Sequence, residues 1–314
     1  MAIFALHDLL VQHITCGNSG NSFILPRVGV VDVGAMSLGE SSDVYQDLLQ
    51  NQLCTVVGFE PVEAECNKLI AAAEANGRSK THKFFPYFIG DGNKGTFYQC
   101  NEVMTSSLYK PNTELTKRFS HLEEVMRVDS ITEVSTTRLD DLVGEIGPID
   151  FVKLDVQGGE LDVIRGGTNA LQQACVLQTE VEFVPLYKDQ PLFADVDTAL
   201  RALGFVFHRF AGMAGRTMKP LVLKDNPFQP ISQHLWSDAV YVRDMFTLSS
   251  YTPEKLLKLA IILHQVYQSY DVVHHVLVRY EQIAGSTLIK SEAGLTLSEA
   301  YYQRLTGTPR PSTS

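Results

Sequence analysis

The stretch IDFVKLDVQGGELDVIRGG, Ile149–Gly167, decides the fold. It reads as a buried strand that breaks at its carboxyl end into a polar turn marked by glycines and then continues as a helix. Phe151, Val152, Leu154 and Val156 supply the apolar strand. Lys153 and Asp155 interrupt it on one face, because side chains two apart in a strand point the same way. Charged groups inside a sheet core are costly unless they are paired or used. Ligands of open α/β sheets bind outside the carboxyl ends of the strands. Asp155 therefore stands where chemistry takes place.

Strand and helix patterns alternate on both sides of this stretch, from about residue 23 to 210. Upstream, the strands are Val28–Val33, Cys54–Glu60 and Lys83–Ile89, with helices expected over Ser41–Gln50 and Val62–Asn76. Pro61 opens the second helix and Gly77 follows its end, the positions where each residue is tolerated best. Thr96–Cys100 is expected to pair locally, residues 101–136 to form an irregular lid or substrate loop, and Thr137–Val143 a short helix. Downstream, Val176–Phe183 and Phe205–Phe210 are strands with a helix over Asp195–Leu203 between them, and Ala239–Arg243 closes the sheet. Strands separated by helices imply right-handed βαβ units and a mostly parallel sheet.

The ends of the chain differ. Residues 1–22 read as an N-terminal helical segment, because Asp8 interrupts the apolar run and no basic stretch precedes it, unlike a signal peptide. Residues 23–246 form the α/β domain. After residue 250 the pattern turns helical: Thr252 caps a helix with Pro253 at its first position, and Val272, Val273, Val276, Leu277, Tyr280 and Ile283 make one apolar stripe on the next. Thr296–Glu299 has capping-box spacing. Residues 250–306 are thus a helical extension and 307–314 a disordered tail. The stripe is expected to pack on the core, with a homodimer contact as its alternative use.

Composition excludes several partners. The 314 residues carry a formal net charge of -10 and no run of Lys or Arg, which argues against a nucleic-acid backbone as ligand. No apolar run approaches the ~18 residues a membrane span needs. Five cysteines without metal spacing suggest free thiols in a reducing compartment, the cytoplasm.

Three successive strand ends carry Asp32 with Gly34, Glu60, and Asp91 in an IGDG turn. An acid at the second strand end suits the two hydroxyls of a ribose, and Asp91 could reach an adenine amino group. The row reads as a nucleoside-binding edge. A dinucleotide would need the G-x-G-x-x-G phosphate loop, whereas the first loop here has only Gly34 and Gly39 and is preceded by Asp32. An acidic loop favours a ligand without phosphates and with positive charge, such as S-adenosylmethionine, over NAD.

VVDVGA, GFEP, IGDG, STTRLDDL, IDFVKLDVQGGELDVIRGG and TEVEF, in this order and spacing, resemble the FkbM family of S-adenosylmethionine-dependent methyltransferases. The resemblance spans roughly Val28–Arg243. It implies the class I methyltransferase fold, a Rossmann-like, mostly parallel seven-stranded sheet, here with a C-terminal helical extension. It also implies O-methylation of a hydroxyl on a sugar, glycan or small natural product. By that resemblance Asp32, Gly34 and Ala35 line the methionine end, Glu60 holds the ribose, Asp91 with Gly92 sits by the adenine, and Asp155 lies below the methyl group. Four residues separate Gly34 from Gly39 where such enzymes usually have three. That lengthened loop supports an alternative reading, a catalytically silent methyltransferase-like domain that binds or assembles through its C-terminal helices.

Methyl transfer to a hydroxyl benefits from a base in reach. Asp155, Glu182 and His208 are the catalytic candidates. Glu180 shares a strand face with Glu182, and a buried pair between Lys153 and Glu180 is its structural alternative. Two carboxylates could hold a divalent ion, but without a clearer ligand set no metal is assigned. Arg138, Asp140 and Asp141 are expected to cap a helix, Thr105–Ser107 to be plain loop, and His264, His274 and His275 to lie at the surface or an interface.

Overall fold

A computed structural model describes residues 4–15, 25–36, 43–226, 228–244, 250–284 and 294–308. The strands are β1 (Val28–Val33), β2 (Cys54–Phe59), β3 (His82–Phe85), β4 (Lys94–Cys100), β5 (Val128–Ser135), β6 (Phe151–Leu154), β7 (Val176–Glu182), β8 (Phe205–Phe210) and β9 (Trp236–Arg243). Seven of them form one sheet in the order β3-β2-β1-β6-β7-β9-β8. The pairs β2–β3, β1–β6 and β6–β7 are parallel, and β9 runs antiparallel between β7 and β8. This is the mostly parallel seven-stranded sheet the sequence implied. The chain fills the sheet outward from β1 through β2 and β3, then restarts at β6 beside β1. The crevice at such a reversal, outside the strand carboxyl ends, is where α/β sheets bind ligands.

Contacts divide the chain into two units. The larger comprises Gly29–Ser37 and Val56–Asp244 and holds the body of the sheet. Its core is built from Val31, Val33, Phe59, Val152, Leu154, Val163, Leu177 and Tyr241, which the alternation of the strands and the helix Glu160–Gly166 turn inward. Two glycines let backbones close up there. A Cβ on Gly29 would fall 1.9 Å from the Pro148 carbonyl oxygen, and one on Gly34 (φ +84°) 1.9 Å from that of Asp155. The carboxylate of buried Asp150 accepts the Gly29 N–H at 2.8 Å.

The second unit comprises the described parts of Met1–Val28, Leu38–Thr55 and Met245–Ser314. Its helices are Leu6–Thr15, Gln46–Gln50, Pro253–Gln265, Tyr270–Ala284 and Leu297–Thr306. Val273, Val276, Leu277 and Tyr280 of the apolar stripe are buried in it, Tyr270–Ala284 packing against the helices before and after it. Thr252 and Thr296 cap their helices as expected, the latter in a full capping box. His264 is not at the surface. It is 2% exposed, its Nε2 donating to the Phe4 carbonyl at 2.8 Å and its Nδ1 facing the Tyr301 hydroxyl at 3.0 Å.

Several sequence expectations are corrected. Residues 101–136 are not irregular throughout: Val128–Ser135 is β5, paired antiparallel with β4 in a separate two-stranded sheet. Six of its eight side chains are exposed, so no apolar alternation marks it as a strand. β3 ends at Phe85, and Ile89 makes only an isolated bridge to Thr137. Residues 139–142 form a 3₁₀ turn before the short helix Val143–Ile146. Cys54, Cys66, Cys100 and Cys175 are buried, and none is in a disulfide among the described residues. Ser41, Ser42, Gly39, Cys16 and residues 309–314 of the expected tail lie outside the described residues.

Candidate functional site

At the centre of the strand edge, Asp32 of β1 and Lys153 of β6 are register partners. The Lys153 ammonium lies 3.3 Å from Asp32 Oδ1 and 3.3 Å from Asp155 Oδ2. Burial works against its charge, but the two carboxylates outweigh that and hold its pKa above the ordinary lysine value. Lys153 therefore pairs with Asp32 and Asp155. The alternative pair with Glu180 does not form, because β6–β7 register places Gln178 opposite Lys153. Two carboxylates against one ammonium leave a net negative charge at the switch between β1 and β6.

Gly34 and Ala35 turn the chain out of β1, both N–H groups donating to the Phe59 carbonyl, at 2.9 and 3.0 Å. Glu60 follows β2 and is 3% exposed. Its Oε1 accepts the Val62 N–H at 2.8 Å, while Oε2 engages no described residue. Burial raises the Glu60 pKa, against the pull of the Val62 N–H. Asp91 behaves differently: both its oxygens accept from Asn93, at 3.0 Å from the backbone and 2.8 Å from the side chain. The Asn93 N–H in particular lowers its pKa. Gly92 (φ +91°) completes this turn and donates to Thr136 Oγ1 at 3.0 Å.

The turn after β6 is held by Glu160, whose carboxylate accepts the N–H groups of Val156 at 2.9 Å and Gly158 at 3.0 Å. Gln157, in the left-handed region at φ +57°, reaches from this turn to β7. Its Nε2 donates to Asp155 Oδ1 at 2.9 Å and to Glu180 Oε2 at 2.6 Å. Glu180 and Glu182 share a face of β7, as their spacing required. Burial raises the pKa of Glu180, helped by Asp155, and that of Glu160, helped by Glu182. Burial pushes Glu182 up to about 7; the Gln190 amide, whose Nε2 is buried without a well-formed hydrogen bond, partly offsets it. Tyr187 and Gln190 come from the segment after β7. Thr105–Ser107 is more than plain loop: Ser107 Oγ donates to the Gln157 carbonyl at 2.6 Å, and the Tyr187 hydroxyl to that of Thr105 at 2.9 Å.

His208 stands apart. It lies at the register shift of β8, with β9 between it and the β7 glutamates. Asp140 caps a helix as expected, but one distant in sequence, accepting from the N–H groups of Asn169 and Ala170 at 2.9 Å. Of the residues that sequence reasoning missed, Gln157, Tyr187 and Gln190 carry no charge, and Glu160 opens the helix Glu160–Gly166. The QGGE of the opening stretch was the one signal for the first two.

A seven-stranded sheet with a reversal at β1/β6 and acids on consecutive strand ends defines a class I α/β fold built for a nucleoside cofactor. Residues 32–207, more than half of the chain, match the family described as Methyltransferase FkbM domain, and the chain belongs to that family. It is 30% identical over 181 residues to the 2-O-methyltransferase NoeI of Sinorhizobium fredii, covering 55% of this chain and 71% of that protein. Among solved structures it resembles precorrin-6y C5,15-methyltransferase from Geobacter metallireducens (10% identity, 70% of this chain and 82% of the other, TM-score 0.37). It also resembles a SAM-dependent O-methyltransferase from Thermotoga maritima (10% identity, 70% and 60%, TM-score 0.33). The methyl donor of the family is S-adenosylmethionine. The residues present fit it: the edge is net negative, suiting a sulfonium and an ammonium, and Glu60 stands at the end of β2 with only Oε1 hydrogen-bonded among the described residues. No helix among the described residues is long and apolar enough to cross a membrane.

Proposed function

We propose that this chain is an O-methyltransferase whose acceptor is a hydroxyl on a sugar, glycan or small natural product. The observation that carries the reading is the cluster of Asp155, Glu180 and Glu182 at the carboxyl ends of β6 and β7, with Glu182 poised at about 7. The relative named for 2-O-methylation supports oxygen as the acceptor atom.

In this reading Asp32, Gly34 and Ala35 receive the methionine end of the cofactor, Glu60 its ribose, Asp91 and Gly92 its adenine side, and Asp155 lies beneath the methyl group. When bound, S-adenosylmethionine supplies an electrophilic methyl on a sulfonium leaving group. Glu182 accepts the proton of the acceptor hydroxyl as the oxygen–carbon bond forms. A group with a pKa near the working pH is suited to that exchange. Asp155, fixed by Lys153 and Gln157, keeps negative charge near the sulfonium without wandering, and alignment supplies the rest of the rate.

Calorimetric titration with S-adenosylhomocysteine tests the cofactor assignment. Micromolar binding, about -8 kcal/mol, is expected for the native chain, weakened at least tenfold by Glu60→Ala. A folded chain that does not bind, or an unaffected Glu60→Ala variant, refutes it. Transfer of a labelled methyl group to a panel of saccharides then tests the acceptor class.

A further inference from the structure

Gln157 sits in a conformation that costs a side chain energy. At φ +57°, followed by Gly158 at φ +97°, the turn would be made most easily with glycine or asparagine. What the glutamine side chain gains is a set of contacts around the acids. Its two amide hydrogens go to two different carboxylates, Asp155 at 2.9 Å and Glu180 at 2.6 Å. The two carboxylates, which can only accept, fix the amide orientation, and its Oε1 faces the Tyr187 hydroxyl at 3.2 Å. The reversed amide would set an oxygen against both carboxylates. The same Tyr187 hydroxyl contacts the Thr105 carbonyl, and Ser107 holds the Gln157 carbonyl, so the 105–107 segment is tied to this one residue.

Resting on the methyl-transfer reading above, we infer that Gln157 is a positioning residue for that reaction: one amide holds Asp155 and Glu180 in a fixed arrangement and links it through Tyr187 to the segment around Thr105. The charges that face Glu180 explain why such a clamp is needed. Asp155 and Glu160 approach from β6 and the turn after it, Glu182 from its own strand and Asp238 from β9. Lys153 is committed to Asp32 and Asp155. Without the amide hydrogens, Asp155 and Glu180 repel directly, and a proton taken up at Glu180 is the cheapest relief.

The test uses the full chain with glutamate labelled with carbon-13 at its side-chain carboxyl, followed by NMR across pH. The resonance missing in Glu180→Gln identifies Glu180. In Gln157→Leu its titration midpoint is expected to rise by at least one pH unit. Tyr187→Phe, which removes only the hydroxyl, should move it less and in the same direction. Turnover of Gln157→Leu should drop about a hundredfold, while S-adenosylhomocysteine affinity stays within about threefold, because Glu60 and Asp32 are untouched. A Glu180 midpoint unchanged in Gln157→Leu overturns the inference. If that variant does not fold, an unchanged midpoint in Tyr187→Phe does so. Equal loss of turnover and cofactor affinity also overturns it, since that marks a structural role. Failure of the function reading has a separate signature: no methyl transfer by the native chain, whatever Glu180 does.

Discussion

Glu182 costs the fold stability at neutral pH, and Glu182→Gln should recover it. The carboxyl goes from an ordinary value of 4.5 to about 7 on burial in the strand face. The folded state therefore binds the proton more tightly than the unfolded chain. Stability linked to this group is intact below about pH 4.5 and is lost as pH rises toward 7. At about 1.4 kcal/mol per tenfold change in proton affinity, the full penalty above pH 7 is about 3 kcal/mol. Glu160 and Glu180 share the same acidic surroundings, so removing one carboxylate should return part of this, about 1–3 kcal/mol. A neutral amide at 182 keeps the shape and cannot ionise. Denaturant unfolding of both chains at pH 5 and pH 8 measures the difference, which should be small at pH 5 and grow by pH 8. Methyl transfer by the variant should fall about 10²–10⁴-fold. A variant no more stable than the native chain at pH 8, or equally stabilised at both pH values, refutes the reasoning.

Gly34→Ala would place a methyl 1.9 Å from the Asp155 carbonyl oxygen at a φ of +84°. Backbone must move, so a loss of about 3–4 kcal/mol is expected in urea melts, with cofactor affinity lost alongside. Gly144→Ala meets nothing within 4 Å and should instead stabilise by about 0.5–1 kcal/mol. Asp150→Ala strands the buried Gly29 N–H that it accepts at 2.8 Å, and should cost about 1–3 kcal/mol in the same assay.

The alternation of apolar strands and amphipathic helices made the sheet legible, and the acids at successive strand ends marked out a candidate binding edge. Both are periodic or charged signals. Register was not. Lys153 pairs with Asp32 because β1 and β6 lie side by side with those residues opposite, a fact that no spacing along the chain encodes. β5 was hidden because a ribbon exposed on both faces needs no apolar period. Gln157, Tyr187 and Gln190 were hidden because an uncharged polar side chain attracts notice only once its partners are known. His264 misled in the opposite direction: helical spacing alone does not tell a solvated histidine from one bonded to the Phe4 carbonyl.

The helical unit has a consequence for how the chain is made. The helix Leu6–Thr15 is made before the helices that pack on it, with Leu6, Leu9 and Leu10 destined for burial. Those helices, Pro253–Gln265 and Leu297–Thr306, come much later in the chain. Between them lie about 240 residues, or roughly 12–48 s of synthesis at ~5–20 residues per second. For that interval the sheet can assemble while the first helix carries an uncovered leucine face. The unit built from these helices can therefore be completed only once both of the later ones have been translated.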